Sequence, residues 1–147
     1  MKARQFLSKE QKKEVVAAIM EAEKATSGEI RVHIETSCNG DPKIQALRTF
    51  HKLKMARTAA RNGVLVYVAC DSRRFAVIGD KGINAVVPAG FWKDVVAAMG
   101  EFFKKEEYTQ GLVKGVIIIG EKLKAFFPYQ SDDVNELPDD ISYGDGE

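Results

Sequence analysis

The sequence predicts a small three-layer α/β/α sandwich on a mixed sheet with a central β-hairpin. Three observations carry that expectation. Residues Gly63–Ala69, GVLVYVA, are apolar without a break, and a short Val-rich run closed by turn residues reads as a strand buried on both faces. A second run, Phe75–Ile78, follows a polar turn at Asp71, Ser72 and Arg73 and stops at Gly79, which predicts an antiparallel hairpin. Upstream, EIRVHIE at 29–35 alternates apolar and polar residues. A long helical segment joins it to 63–69, so the two strands should form a right-handed parallel crossover. Helices on both faces complete the layers.

The elements follow in order. Ser8 opens the first helix with a capping box whose partner is Gln11. Val15, Ala18, Ile19 and Ala22 then mark one apolar face. Ile30, Val32 and Ile34 alternate with Glu29, Arg31, His33 and Glu35. Period two implies one polar face, hence a strand near a sheet edge or under partial cover. Asp41-Pro42 suits the start of a helix reaching Arg61, and Asn62-Gly63 breaks it. A helix from about Phe91 to Lys105 and a last one capped by Thr109 follow. VIIIG at 116–120 has strand character, but the longer 3.6-residue period assigns it to that helix. The order is α–β–α–β–β–α–α.

A chain of 147 residues fits one domain. No apolar run approaches about 20 residues, so no membrane insertion is expected. MKARQFLSKEQKK lacks the apolar stretch of an export signal, and Cys38 and Cys70 lack metal-ligand spacing. Free thiols in a reducing cytoplasm are the expectation. The net charge of +1 conceals a separation: residues 131–147 hold seven acids and no Lys or Arg. We therefore expect a domain over 1–128 and an acidic, flexible tail over 129–147. No acid lies between Asp41 and Asp71, where Lys43, Arg48, Lys52, Lys54, Arg57 and Arg61 fall. These six bases suit a solvated helix, or else docking of an acidic protein partner or of the tail itself. Nucleic acid is not expected, because no recognition motif or stacking aromatic pattern accompanies them.

EAEKATSGEIRVHIE, GVLVYVACDSRRFAVIGDKGIN and YTQGLVKGV resemble the TPM domain family, over roughly residues 5–128. That family is named for a thylakoid lumen protein, a photosystem II repair protein and a nematode receptor modulator. The likeness is to its soluble bacterial branch, whose members share the FPYQSDDVNELPDDISY-like tail. It implies a Rossmann-like α/β/α sandwich, acid-phosphatase-like activity and divalent-cation binding. Many relatives carry Asp-Asn-Gly or Asp-Asp-Gly before the central strand, contributing to an acidic pocket. This chain has Arg61-Asn62-Gly63, a cation in place of one carboxylate.

Four places invite chemistry. Glu29, Asn62, Asp80 and Asn84 should share one end of the sheet and offer oxygens to hydrated Ca²⁺ or Mg²⁺. The simpler account makes Asp80 and Asn84 turn and cap residues. At the opposite end stand Asp71, Ser72 and Arg73, near Ser37, Cys38 and Asn39. Ligands favour the carboxyl ends of parallel strands, which is this end. The same three residues also suit any exposed turn. His33 shares a strand face with Glu35, but alternate residues lie about 7 Å apart and a dyad needs about 3 Å. A solvated polar face, or a salt-bridged ladder under a helix, is expected there. The basic segment is the fourth. No GxSxG, Cys-x5-Arg or GxxxxGK[ST] motif is present, so phosphoryl transfer would be metal-assisted with water attacking. The resulting expectation is a divalent-cation-binding interaction module, with a metal-dependent phosphatase-like hydrolase as the alternative.

Overall fold

Four strands form one mixed sheet in a computed structural model that describes residues 1–130 and 136–144. They are β1 (Glu29–Glu35), β2 (Gly63–Ala69), β3 (Arg74–Gly79) and β4 (Ile141–Gly144), in the spatial order β3-β2-β1-β4. β1 and β2 are parallel, with Glu29 opposite Gly63 and Glu35 opposite Ala69. β2 and β3 form the expected antiparallel hairpin. The fourth strand comes from the acidic tail and lies parallel to β1, with Ser142 opposite His33. Two expectations are corrected by it. β1 is an interior strand, and the described part of the tail is a structural element of the sheet. Within the hairpin, β2 is interior and β3 is the edge.

The helices are α1 (Lys9–Ala22), α2 (Pro42–Lys52), α3 (Lys81–Asn84), α4 (Lys93–Lys104) and α5 (Tyr108–Leu123). The α1 capping box is present: Ser8 Oγ accepts from Gln11 N at 3.1 Å, and Ser8 N donates to Gln11 Oε1 at 2.8 Å. Asp41 caps α2 by accepting from Lys43 N at 2.9 Å, with Pro42 in the first turn. The basic helix is shorter than its charge run. It ends at Lys52, Lys54 turns left-handed at φ 57°, and Met55–Arg57 form a 3₁₀ turn. Arg61 is therefore a loop residue, left-handed at φ 50°. Residues 116–120 lie in α5, as the longer period requires.

One sheet face buries Ile30, Val32, Ile34, Val64 and Val66 against α1, α4 and α5. The other packs Leu65 and Tyr67 against Phe50 of α2, Met55 and Leu137. Leu137 arrives from the tail and is 2% exposed; burying such a side chain contributes roughly 2 kcal/mol. Because α2 and the tail cover this second face, the polar residues of β1 are buried too. Glu29, His33 and Glu35 are all inside. The parallel pairing sets Glu29, Asn62 and Asp80 at one end of the sheet and Asp71, Ser72 and Arg73 at the other.

Candidate functional site

Asp80 closes β3 and caps α3, its Oδ1 accepting from Lys81 N at 2.7 Å. Across from it, the Arg61 guanidinium donates Nε to Oδ2 at 2.8 Å and Nη2 to Oδ1 at 3.0 Å. A side chain at Gly82 would overlap the Ala60 carbonyl, so only glycine lets this turn approach the loop. The Asp80 side chain is 5% exposed and the Arg61 side chain 37%. A bidentate cation thus covers both Asp80 oxygens, where a metal ion would have to bind. Asn84 donates Nδ2 to Gly79 O at 3.0 Å, the local cap the simpler account foresees. Asn62 donates Nδ2 to Ser27 O at 3.1 Å, leaving Oδ1 buried without a partner among the described residues. Glu29 turns to the tail and accepts from Leu137 N at 2.6 Å. The four predicted ligands share one end of the sheet but are not brought to one point. Among the described residues, no three His, Cys, Asp or Glu side chains are grouped to hold a metal ion. The adjoining cavity of about 540 Å³ is lined by Arg61, Lys81 and His51 as well as Asp80. The Asp80 half of the predicted set does not fit a cation.

The Glu29 half has different surroundings. Glu23, just past α1, accepts from Ile30 N at 2.8 Å through Oε2 and hydrogen-bonds the Asp139 carboxyl. Burial first, and then that bond, push the Glu23 carboxyl up to about 9, with the charges of Asp139 and Glu29 adding to the effect. A carboxyl buried beside another favours its protonated form. Glu29 is raised too, chiefly by burial, while the amides of Leu137 and Glu136 oppose the shift. The tail segment 136–140 thus brings Asp139 near Glu23 and Glu29 at the start of β1, without grouping the three around one point.

Further along β1 the solvated alternative and the expected separation of about 7 Å give way to buried contacts. His33 Nε2 lies 2.8 Å from Glu35 Oε1, and Nδ1 lies 2.7 Å from Ser142 Oγ. The ring stacks on Tyr67 with centroids 5.9 Å apart. Same-strand neighbours meet here because burial under α2 and β4 gives both side chains no other direction. His33 is 4% exposed and its pKa is lowered by burial, against the pull of Glu35. A neutral imidazole suits this place, one ring nitrogen donating and the other accepting. A side chain at Gly144 would overlap the Glu35 carboxylate, so glycine there admits the carboxylate beside β4. Tyr143 lies under Arg4 and Lys12, 5.1 and 5.3 Å from its ring centroid.

The hairpin-turn candidates are locally engaged. Asp71 pairs with the N-terminal ammonium at 2.7 Å, and Ser72 Oγ accepts from Cys38 N at 2.8 Å. Arg73, left-handed at φ 53°, pairs with Glu106 at 3.1 Å. Of the six bases, Arg57 donates to Glu136 O at 3.0 Å, and Ala59 N reaches the Glu136 carboxylate at 3.2 Å. The described part of the tail therefore touches the basic segment beyond the end of α2.

The family model for the TPM domain matches residues 1–122. The chain belongs to the TPM domain family. Among solved structures, it is 46% identical to the BA42 protein from the psychrophilic bacterium Bizionia argentinensis, with a TM-score of 0.90 over 97% of this chain and 99% of that one. It also shares its fold with the N-terminal domain of a protein from P. gingivalis. There the identity is 21% and the TM-score 0.68, over 86% of this chain and 83% of that one. The N-terminal domain of the cg2496 protein from Corynebacterium glutamicum is 13% identical, with a TM-score of 0.60 over 92% and 79% of the two chains. None of the curated proteins matches.

Within this TPM domain, sequence reasoning missed Glu23, Asp139 and Ser142. Glu23 reads as one more charge beyond an amphipathic helix. Asp139 and Ser142 fall in a segment whose acidity signals a solvated tail. One signal was available: Ile141-Ser142-Tyr143 alternates as a strand does, though three residues are too few to weigh against the surrounding acids. Among the described residues of the TPM domain, no helix is long and apolar enough to cross a membrane.

Proposed function

We propose that this TPM domain is a non-catalytic interaction module that responds to divalent cations through its C-terminal segment. The observation that carries the reading is that residues 136–140 bring Asp139 within electrostatic reach of Glu23 and Glu29, so that the pKa of each of these two carboxyls is raised, although the three are not preassembled into a metal site. Hard carboxylate oxygens are the donors Ca²⁺ and Mg²⁺ take, and a divalent ion there competes with the proton on Glu23. Binding would change how the tail sits on β1 and hence the surface it offers a partner. The Asp80–Arg61 end has no part in this, because its carboxylate already has its cation.

The test is a titration with Ca²⁺, Mg²⁺ and Mn²⁺ followed by backbone amide shifts. Residues 23, 29–30 and 136–140 should move and residues 80–84 should not. Absence of a saturable response in the first group would sink the proposal. The alternative, a metal-dependent phosphatase-like hydrolase, is separated from it by the same samples. Turnover of a generic phosphate ester that depends on the added metal would replace the binding module with an enzyme.

A further inference from the structure

A cavity of about 410 Å³ opens between the β2–β3 turn and the α4–α5 face, at the carboxyl ends of the parallel strands. It is unrelated to the carboxyl cluster, which lies at the other end of the sheet. Its size is that of a small-ligand site. The interior is apolar: Val68 forms the floor, while Phe75, Phe103 and Tyr108 form an aromatic wall. Phe75 and Phe103 meet edge to face at 4.9 Å, and Phe103 and Tyr108 lie 5.5 Å apart. Gly100 of α4 leaves open space, since a Cβ there would find only Phe75 Cζ, at 3.9 Å.

Charge at this cavity has one sign. Its lining includes Arg73, Arg74 and Lys104 and, among the described residues, no acid. Arg74 is turned to the Gly40 carbonyl, which leaves Arg73 and Lys104 for a ligand. Arg73 is held by Glu106 at 3.1 Å, and Lys104 by Glu101 at 3.6 Å, and all four side chains are largely exposed. Such pairs are worth little in water and yield to a better-placed anion. Arg73 and Glu106 are both left-handed, at φ 53° and 60°. Strained residues of this kind gather where a loop must present a side chain. Here the two turns carrying them face each other across an ion pair at the cavity's edge. The Cys70 thiol also lines the cavity and is raised by burial, which favours its neutral form and leaves binding non-covalent.

We propose that this cavity binds an amphiphilic organic anion, with its carboxylate on Arg73 and Lys104 and its flat apolar body among Phe75, Phe103 and Tyr108. An apolar interior with a cationic rim selects that class over sugars, which lack the apolar body, and over neutral aromatics, which lack the charge. The full chain should be titrated with 2-naphthoate and, in parallel, with neutral 2-naphthalenemethanol, recording backbone amide shifts. Saturable shifts at Val68, Gly100, Phe103 and Tyr108 are expected for the carboxylate, with the alcohol about tenfold weaker. Gly100→Leu places a side chain in the open space and favours helix, so it should abolish binding while the remaining amide spectrum is kept. If that variant perturbs the fold, Arg73→Gln combined with Lys104→Gln takes its place and should bring the carboxylate down to the alcohol's affinity. Equal binding of acid and alcohol, naphthoate shifts confined to other surfaces, undiminished binding in the variant that folds, or no saturable shift would each overturn the proposal.

Discussion

Replacing Glu23 by Gln tests the carboxyl cluster where its energetics are largest. Glu23 has an ordinary carboxyl value of 4.5 outside the fold and about 9 within it. A group whose folded pKa is raised contributes stability that is fully present below the lower value and is lost as pH rises through the upper one. The loss is at most about 1.4 kcal/mol per pH unit, so an upper bound of roughly 5 kcal/mol accumulates between pH 4.5 and 8. Glu23 is only half-buried, and solvent access reduces the realistic figure to about 2 kcal/mol. Gln keeps an acceptor for Ile30 N and supplies a permanent donor to Asp139. Urea unfolding in chelated buffer at pH 7, 8 and 9 is the assay. His33 does not interfere there, because its lowered pKa acts only on the acid side. The wild type should lose stability across this range, Glu23→Gln should lose clearly less, and the variant should be the more stable by about 2 kcal/mol at pH 8. Parallel pH profiles would refute the raised Glu23 value.

Three other outcomes follow from the same geometry. Ser142→Ala removes the 2.7 Å partner of the His33 Nδ1 atom and should cost about 1–2 kcal/mol in urea unfolding. It should also speed hydrogen exchange at Thr36, whose amide bonds to Gly144 O. Because burial depresses the His33 pKa, the unfolded chain takes up its proton first. Stability should therefore fall as pH drops below 6.5, and His33→Gln should remove that part of the loss in acid unfolding curves. Arg61→Asp exchanges the cation on Asp80 for a carboxylate at a left-handed position that Asp tolerates; Ca²⁺ should then shift amides 80–84, which stay fixed in the wild type.

Much of this fold was legible because local signals agreed with the global one. The Ser8–Gln11 box, the Asp41-Pro42 start and the seven-residue apolar run at 63–69 each depend on neighbours within a few positions, and each appears as read. What failed depended on distant residues. The alternation in β1 correctly gave a polar face but not its burial, which comes from α2 and from a strand more than a hundred residues away. Arg61 and Asp80 lie nineteen residues apart. Their pairing turns a predicted ligand into half of an ion pair, although the replaced carboxylate in Arg61-Asn62-Gly63 pointed that way. The basic run suggested one helix because charge periodicity carries no signal for the left-handed Lys54 that ends it. Likewise, the acidity of the tail concealed Leu137 and Ile141, two apolar anchors that hold it to the domain.

The central claim is that the C-terminal segment, and not the Asp80 end, answers to divalent cations. Hydrogen exchange of the Leu137 amide, which is donated to Glu29 at 2.6 Å, measures it most directly. With saturating Ca²⁺, exchange at Leu137 and Ile141 should slow severalfold relative to chelated protein, while Ile83 and Asn84 stay unchanged. Protection confined to 80–84, or the same exchange at Leu137 with and without Ca²⁺, would contradict the account.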